Sequence, residues 1–242
     1  PAEIMTLYHE LLEQVENKPS TTQALVTQLL TLPSEEYLSE LAESIDIVAI
    51  HQARRSVKKQ LAMALKEPFQ LLYDCYRPEE PISITPAAMA GRALRNLALD
   101  YLVDTAEPVS IENCYQQYLS ANNMTDTMAA LACLVNSEAA CAIAFKQNAL
   151  ATFYDKWQHQ PLVVNQWLEV QARCPLSGTL TTVKELLEHP AFDIKSPNQV
   201  TSLIGGFCYK NANNFHHEDG SGYQLLIDQV IRLNEINPQM AS

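Results

Sequence analysis

The chain has 242 residues, of which 47% are hydrophobic, and this is enough apolar material for a substantial core, so disorder is excluded as its main state. Its 28 acidic and 16 basic residues give a formal net charge of −12, which would repel a phosphate backbone and argues against nucleic acid as a partner. There is no run of about 18 apolar residues and no signal-like N-terminus, so the sequence predicts a cytoplasmic protein without a membrane partner.

The N-terminal part of the sequence predicts amphipathic helices separated by prolines. Apolar residues spaced three and four apart over residues 4–15 predict a first helix that ends near Asn17 and Pro19. A second helix is expected to begin after the Ser-Thr-Thr segment at 20–22 and to stop at Pro33. The chain therefore begins as a series of short helices.

Capping residues predict where the next helices begin. Ser34 and Asp46 are expected N-caps, and Pro68 either kinks the helix that follows Asp46 or begins another one. A proline-rich break covers residues 78–81, and the Thr-Pro pair at 85–86 then predicts a cap followed by a first-turn proline. These signals predict longer helices on both sides of the break.

The same pattern continues through the middle of the chain. We expect the helix after residues 85–86 to end near Thr105, the next to begin at Ser110, and another to begin at residues 125–126. Ser137 is expected to cap a longer helix that reaches Trp157.

The last third predicts three helices, then a polar loop and a final helix. The helices begin at Pro161, cover residues 179–187 and cover residues 197–207. The loop covers residues 211–222, and the final helix runs from Tyr223 towards Pro238.

The predicted fold class is all-α. Only residues 82–84 alternate as a strand would, and three residues between prolines are a poor strand. About a dozen short helices in pairs, joined at prolines without a strict period, predict an irregular superhelical array of the armadillo or HEAT type. A compact helical bundle is the alternative.

Metal-binding motifs are incomplete in this sequence. The segment at residues 9–13 begins as H-E-x-x-H does but has a glutamate where the second histidine is needed. His216 and His217, with Glu218 and Asp219, offer metal-binding groups, but adjacent side chains rarely converge on one ion. A loop whose polar groups cap neighbouring helices is the favoured interpretation.

Other candidate groups also have plainer explanations. Gly205 and Gly206 lie in an apolar stretch, where close helix packing explains them better than phosphate binding. Arg54, with the basic residues at positions 55, 58 and 59, is expected to form a solvated face. The cysteines are expected to be buried free thiols, and they are Cys75, Cys114, Cys133, Cys141, Cys174 and Cys208.

Several short segments together resemble one family. They are NNMTD at 122–126, DKW at 155–157, VQA at 170–172, SLIG at 202–205 and EDGSGY at 218–223, with looser matches at 30–34, 46–50 and 92–96. Because they span nearly the whole chain in order, the sequence resembles the C-terminal domain of bacterial aminopeptidase N, a zinc-dependent alanyl aminopeptidase of the gluzincin metallopeptidase family.

The resemblance implies a single domain, residues 1–242, that belongs to a larger enzyme. In the family, the zinc and the catalytic residues belong to a preceding domain, and the C-terminal helices enclose an internal chamber that limits which peptides enter. We therefore expect no catalytic residue and no metal ligand in this chain, zinc in the parent enzyme, and as partners the catalytic domain of the same polypeptide and peptide substrates.

The resemblance also suggests which residues form the chamber wall. The candidates come from the segment at 197–205 and the loop at 215–223, and they are Asn198, Ser202, Phe215, His216, Asp219, Ser221 and Tyr223. A polar, glycine-containing loop near a helix end suits a peptide main chain or carboxylate, although a packing corner has the same composition.

The sequence departs from the family pattern at three points. His217 follows His216 where the family usually has a small residue, Cys208 follows Phe207, and the sequence stops at Ser242 where the family continues. If the chain is truncated there, we expect an exposed apolar face that favours self-association or lowers stability.

Three functional hypotheses follow. The first is the non-catalytic, access-limiting domain of a zinc aminopeptidase, inactive on its own. The second is a free-standing helical-repeat module that binds peptides or proteins. The third is a small hydrolase that pairs Cys208 with His216 or His217, which lacks a visible third group to orient the histidine.

Overall fold

The computed structural model of the chain describes residues 2–15, 20–77 and 81–241, and these residues form helices and loops without a strand. The predicted end of the first helix at Asn17 and Pro19, most of the break at 78–81, and Ser242 lie outside the described residues. No helix in the described part is both long and apolar enough to cross a membrane.

The chain divides into two compact units, Pro1–Lys146 and Gln147–Ser242. The helices of the first unit are α1 (Ala2–Val15), α2 (Ser20–Leu29), α3 (Glu35–Leu41), α4 (Ile47–Ala64), α5 (Lys66–Cys75), α6 (Pro86–Asp104), α7 (Pro108–Ser120) and α8 (Met124–Asn136). Helix α9 (Ala142–Trp157) begins in the first unit and ends in the second.

The second unit continues with helices that are mostly shorter. They are α10 (Pro161–Ala172), α11 (Thr179–Leu187), α12 (Pro197–Val200), a π-helical turn (Thr201–Gly205), α13 (Gly206–Lys210), α14 (Ala212–Phe215), α15 (Ser221–Ile236) and α16 (Pro238–Ala241). The predicted helix over 197–207 is therefore one continuous helical segment that contains a π turn and extends to Lys210.

Helix α6 is the centre of the first unit, because α2, α4, α5, α7 and α8 all pack against it. Its buried face includes Leu94 and Leu102, spaced as one side of a helix requires. Tyr101 of the same helix stacks on Phe69 of α5, with ring centroids 4.4 Å apart. Its hydroxyl donates to the carbonyl of Leu30 (2.8 Å), which holds the end of α2 against α6.

The core of the second unit lies around α10, which packs against α11, α13 and the π turn. Leu168 of α10 and Leu203 of the π turn are fully buried. A Cβ built on Gly206 would lie 3.3 Å from the Cβ of Ala172, so α13 approaches α10 closely there. This confirms the close-packing interpretation for Gly206, whereas a Cβ on Gly205 would make only ordinary contacts at 3.7 Å.

Three predicted N-caps are confirmed by their hydrogen bonds. The side chains of Ser34, Asp46 and Thr85 accept from the backbone N–H three residues later, at 3.2, 2.9 and 3.3 Å. Each one satisfies a donor that the first turn of a helix leaves without an intrahelical acceptor. The predicted starts at Pro161 and over 179–187 are also confirmed.

Two predicted helix starts are wrong by a few residues. Helix α7 begins at Pro108 rather than Ser110, because a proline fits the first position of a helix, where its missing N–H costs nothing. Helix α8 is capped by Asn123, which accepts from the N–H of Asp126 (2.9 Å), rather than beginning at residues 125–126.

The role predicted for Ser137 is also wrong. Ser137 lies at the C-terminal end of α8, and its hydroxyl accepts from the N–H of Ala139, two residues later (3.3 Å), which forms a local turn. Helix α9 begins only at Ala142. The break near Pro68 falls at Leu65, so the proline lies inside the first turn of α5.

The burial predicted for the cysteines is right at four positions and wrong at two. Cys75 and Cys141 are exposed, because Cys75 ends α5 and Cys141 lies in the turn before α9. All six are free thiols; the buried ones are Cys114, Cys133, Cys174 and Cys208.

The basic cluster on α4 is largely engaged with neighbouring segments, in contrast to the predicted solvated face. The Nζ atom of Lys58 lies 2.8 Å from carboxylate oxygens of both Asp100 and Asp104 on α6. Arg54 donates through Nε to a backbone carbonyl after α2 (2.6 Å). Burial lowers the pKa of Lys58, but the two carboxylates outweigh it and raise that pKa above its usual value.

The buried tyrosines of the first unit should make the protein sensitive to alkali. Burial raises the pKa of Tyr8, Tyr73 and Tyr101, as the two carboxylates do for Lys58. A folded-state pKa above the unfolded one contributes stability that is complete below the unfolded value and is lost as pH rises through the folded value. The protein should therefore begin to lose stability as the pH rises past the ordinary pKa values, 10.0 for tyrosine and 10.5 for lysine.

We expect urea unfolding to give a clearly lower free energy of unfolding at about pH 11 than at about pH 8, with each proton released on unfolding adding about 1.4 kcal/mol per pH unit to the slope. Tyr73→Phe, which keeps the ring that lies against Arg95, should make this decline less steep. Equal stability at the two pH values would contradict the interpretation.

Candidate functional site

The polar segment after α13 begins with asparagines that close the end of α10. Asn211 is buried, and its Nδ2 donates to the carbonyls of Ala172 (2.9 Å) and Cys174 (2.7 Å). Asn214 donates to Oδ1 of Asn211 (2.9 Å). These contacts satisfy carbonyls that the end of α10 leaves without intrahelical donors, which confirms helix capping for this part of the segment. The segment also contains α14. The prediction of a loop over residues 211–222 is therefore wrong for part of that range.

Two glycines shape the turn into α15. Gly220 has φ of 71°, a left-handed conformation that few other residues adopt. A Cβ on Gly222 would lie 2.2 Å from the carbonyl oxygen of Phe215, so only glycine fits there. As a result α15 begins at Ser221, two residues before the predicted start at Tyr223.

An aromatic cluster lies under this turn. The ring of Phe215 is buried and packs edge-to-face on Phe207, His216 and Tyr223, with centroid distances of 6.1, 4.9 and 5.1 Å. The Nδ1 atom of His216 lies 2.6 Å from the hydroxyl of Tyr223, and both side chains are exposed. The cluster therefore presents an imidazole and a phenol to solvent on a buried aromatic base.

An exposed carboxylate completes the turn. Oδ1 of Asp219 accepts from the N–H of Ser221 (2.9 Å) and lies 3.1 Å from Nδ1 of His217. These hydrogen bonds, first those from Ser221 and then that from His217, lower the pKa of Asp219 to about 2. The group is therefore a carboxylate throughout the neutral range.

The predicted wall residues fall into two groups. Phe215, His216, Asp219, Ser221 and Tyr223 lie together at the turn, although Phe215 is buried beneath it. Asn198 is exposed on α12, and Ser202 is half-buried in the π turn. Within the described residues no hydrogen bond or ion pair links these two to the turn. Their role in a chamber stays a prediction.

The turn offers hydrogen-bonding groups rather than a nucleophile. Burial raises the pKa of the Cys208 thiol to about 11, so the thiolate that a hydrolase would need is scarce at neutral pH. The described part of the chain contains no group of three or more His, Cys, Asp or Glu side chains that could hold a metal ion. The described residues therefore do not fit a zinc site.

A second polar cluster was missed at the sequence level. Asp126 is 1% exposed, and its carboxylate accepts from Nδ2 of Asn96 and from Nδ2 of Asn123, each at 2.8 Å. Gln117 donates to Oδ1 of Asn96 (2.8 Å). The spacing of Asn123 and Asp126, cap and third helical residue, was the available signal. The carboxylate of Asp126 is satisfied by side-chain amides inside the fold, whereas Oε1 of Gln117 is buried without a hydrogen-bond partner.

Comparisons with known proteins relate the whole chain to one group of enzymes. The model of a family described as a domain of unknown function (DUF3458_C) with ARM repeats matches residues 1–242. Aminopeptidase N of Haemophilus influenzae is 38% identical over 218 residues, which cover 90% of this chain and 24% of that protein. Aminopeptidase N of Escherichia coli is 36% identical over 219 residues, which cover 90% and 25%.

A solved structure gives the same relation. The crystal structure of Legionella pneumophila aminopeptidase A in complex with aspartic acid aligns with a TM-score of 0.84 and 30% identity, over 98% of this chain and 28% of that one. The chain spans about a quarter of the length of these relatives. The predicted armadillo-type helical class and the predicted family resemblance are both confirmed.

Proposed function

This chain belongs to the DUF3458_C family of ARM-repeat domains, and from that membership we propose that it is the non-catalytic C-terminal helical domain of a zinc-dependent aminopeptidase. The observation that carries the proposal is the extent of the alignments, which use 90% of this chain but only 24 and 25% of two aminopeptidases N. Most of each relative, with room for a catalytic domain, lies outside the matched part.

The domain would enclose the active-site chamber of the parent enzyme and limit which peptides reach it. The turn at residues 215–223 suits such a wall, because a buried phenylalanine supports the exposed His216, Tyr223 and Asp219. These groups can donate to and accept from a peptide main chain without reacting with it. The partners would be the catalytic domain of the same polypeptide and cytoplasmic peptides, with no nucleic acid and no membrane.

The residue preference of the parent enzyme is proposed to be for N-terminal alanine. Two of the relatives are named aminopeptidase N, whereas the Legionella pneumophila structure is an aminopeptidase A with aspartic acid bound. Assaying the parent enzyme on both alanyl and aspartyl chromogenic amides distinguishes these preferences.

The first test is an assay of this chain alone with added zinc. We expect no hydrolysis of either amide above background, because the described residues offer no metal-holding group and no activated nucleophile. The parent polypeptide, assayed in parallel, should hydrolyse at least one amide. Turnover by the chain alone would contradict the non-catalytic role.

The second test examines the wall in the parent enzyme. His216→Ser and Tyr223→Ser should change the ratio of kcat/KM for long over short peptides severalfold, because the changes remove groups that would meet only the longer substrates. Gln224→Ala, an exposed neighbour on α15, is the matched control. If His216→Ser and Tyr223→Ser both leave this kcat/KM ratio unchanged, the turn is not part of the chamber wall.

A further inference from the structure

A cavity of about 260 Å³ lies in the first unit, among the end of α5, the start of α6 and α2. Its lining includes Gln23, Tyr76, Arg77, Ile82, Arg92 and Asn122. None of the residues that the structure places around it is acidic, although the chain carries a net charge of −12. The cavity is far from the turn in sequence, and neither proposed wall segment contributes to it.

Two guanidinium groups give the cavity a positive charge. Arg92 of α6 is half-buried, and Nη1 donates to the carbonyl of Ser83 (2.7 Å), which fixes the side chain while leaving its other N–H groups unassigned. Arg77, which also lines the cavity, has its nearest recorded carboxylate oxygen, that of Asp74, at 3.8 Å. The lining therefore contains two guanidinium groups and no carboxylate, which favours an oxyanion as the occupant.

A third polar side chain in the lining, that of Gln23, offers a hydrogen-bond acceptor. Gln23 is 9% exposed, and its Nε2 donates to the hydroxyl of Tyr76 (3.0 Å). Within the described residues no hydrogen bond is recorded for its Oε1, and because Gln23 lines the cavity, this amide oxygen can accept from an N–H donor there. A cavity that offers guanidinium groups and an amide oxygen matches a ligand with both a carboxylate and an N–H group.

The aromatic ring of Tyr76 in the lining is accommodated by a glycine of α6. A Cβ on Gly91 would lie 2.8 Å from the ring of Tyr76, so the tyrosine can lie across α6 only because residue 91 has no side chain. Ile82 adds a second apolar surface to the lining. The site is thus built by four segments that converge, and its size suits a molecule no larger than a dipeptide.

We propose that this cavity binds a small zwitterion, a free amino acid or a dipeptide, with its carboxylate on Arg77 and Arg92 and its ammonium or peptide N–H on Oε1 of Gln23. The binding is separate from any catalysis by a parent enzyme and does not depend on the proposed function.

The test is a titration of the 242-residue protein with L-alanyl-L-alanine, followed by amide chemical shifts in NMR spectra. We expect saturable binding at concentrations up to about 10 mM, with the shifts concentrated at residues 88–92. L-alanyl-L-alanine amide, which lacks the carboxylate, should bind at least about tenfold more weakly, since charge-assisted hydrogen bonds are lost. Inorganic phosphate at matched ionic strength is the third probe.

Three variants locate the contacts. Arg77→Gln should weaken dipeptide binding about tenfold without altering the fold, because its side chain is 78% exposed and makes only a distant ion pair. Gln23→Leu should weaken binding of the dipeptide but not of phosphate. Arg173→Gln, which removes an exposed charge in the second unit, is the control and should change nothing.

Dipeptide binding that depends on the carboxylate and is weakened about tenfold in Arg77→Gln supports the site. Absence of saturable binding, equal binding of the dipeptide and its amide, or phosphate binding as tight as that of the dipeptide would each overturn it.

Discussion

Asp126→Ala should lower the free energy of unfolding by about 4 kcal/mol, because it removes the centre of a buried hydrogen-bond network. Asp126 is 1% exposed, and its carboxylate accepts from Asn96 and Asn123 at 2.8 Å. Without it, the half-buried amides of Asn96 and Asn123 would each lose an acceptor, and an unsatisfied buried group costs about 1–3 kcal/mol. The N-terminal cap of α8 would also lose half of its reciprocal pair.

Urea unfolding followed by far-UV circular dichroism measures this change. Asp228→Ala is the matched control, because Asp228 is exposed on α15 and accepts only from Gln224 one turn earlier (2.7 Å). We expect the control to stay within about 0.5 kcal/mol of the wild type. Similar losses of unfolding free energy in both variants would show that the Asp126 network stabilises the protein no more than an exposed carboxylate does.

Gly222→Ala should destabilise the protein by about 3 kcal/mol, because the new methyl group would overlap the backbone. Its Cβ would lie 2.2 Å from the carbonyl oxygen and 2.8 Å from the Cα of Phe215. Backbone atoms cannot rotate away as a flexible side chain can, so α14 and α15 would have to separate. The Phe215 cluster beneath the turn would then lose its packing on Tyr223.

Gly205→Ala is the matched control for this substitution. Gly205 is helical, and a Cβ there would have its nearest neighbours at 3.7 Å, an ordinary contact. Because alanine favours helix over glycine, we expect the control to be neutral or more stable by up to about 1 kcal/mol. Thermal unfolding, together with near-ultraviolet circular dichroism of the tyrosines, compares the two. Wild-type stability in Gly222→Ala would refute the steric argument.

The C-terminal turn shows how far residue patterns could specify the candidate site. The sequence predicts a polar, glycine-containing loop at Asp219, Ser221 and the two glycines, because short polar side chains and the conformational freedom of glycine act within a few residues. The pairing of His216 with Tyr223 on a Phe215 base depends on how α14 and α15 fold back on each other. Nothing in the linear pattern specifies that approach.

Sequence alone determined the helical class, the caps at Ser34, Asp46 and Thr85, and the family, because helix periodicity and capping are interactions between residues within about one turn. Only the tertiary structure decided that Lys58 is paired with two carboxylates and that Asp126 is buried. A polar residue on a helix has the same local pattern whether it faces water or a partner. Its role is set by contacts with segments distant in the chain, and these exist only once the helices have packed.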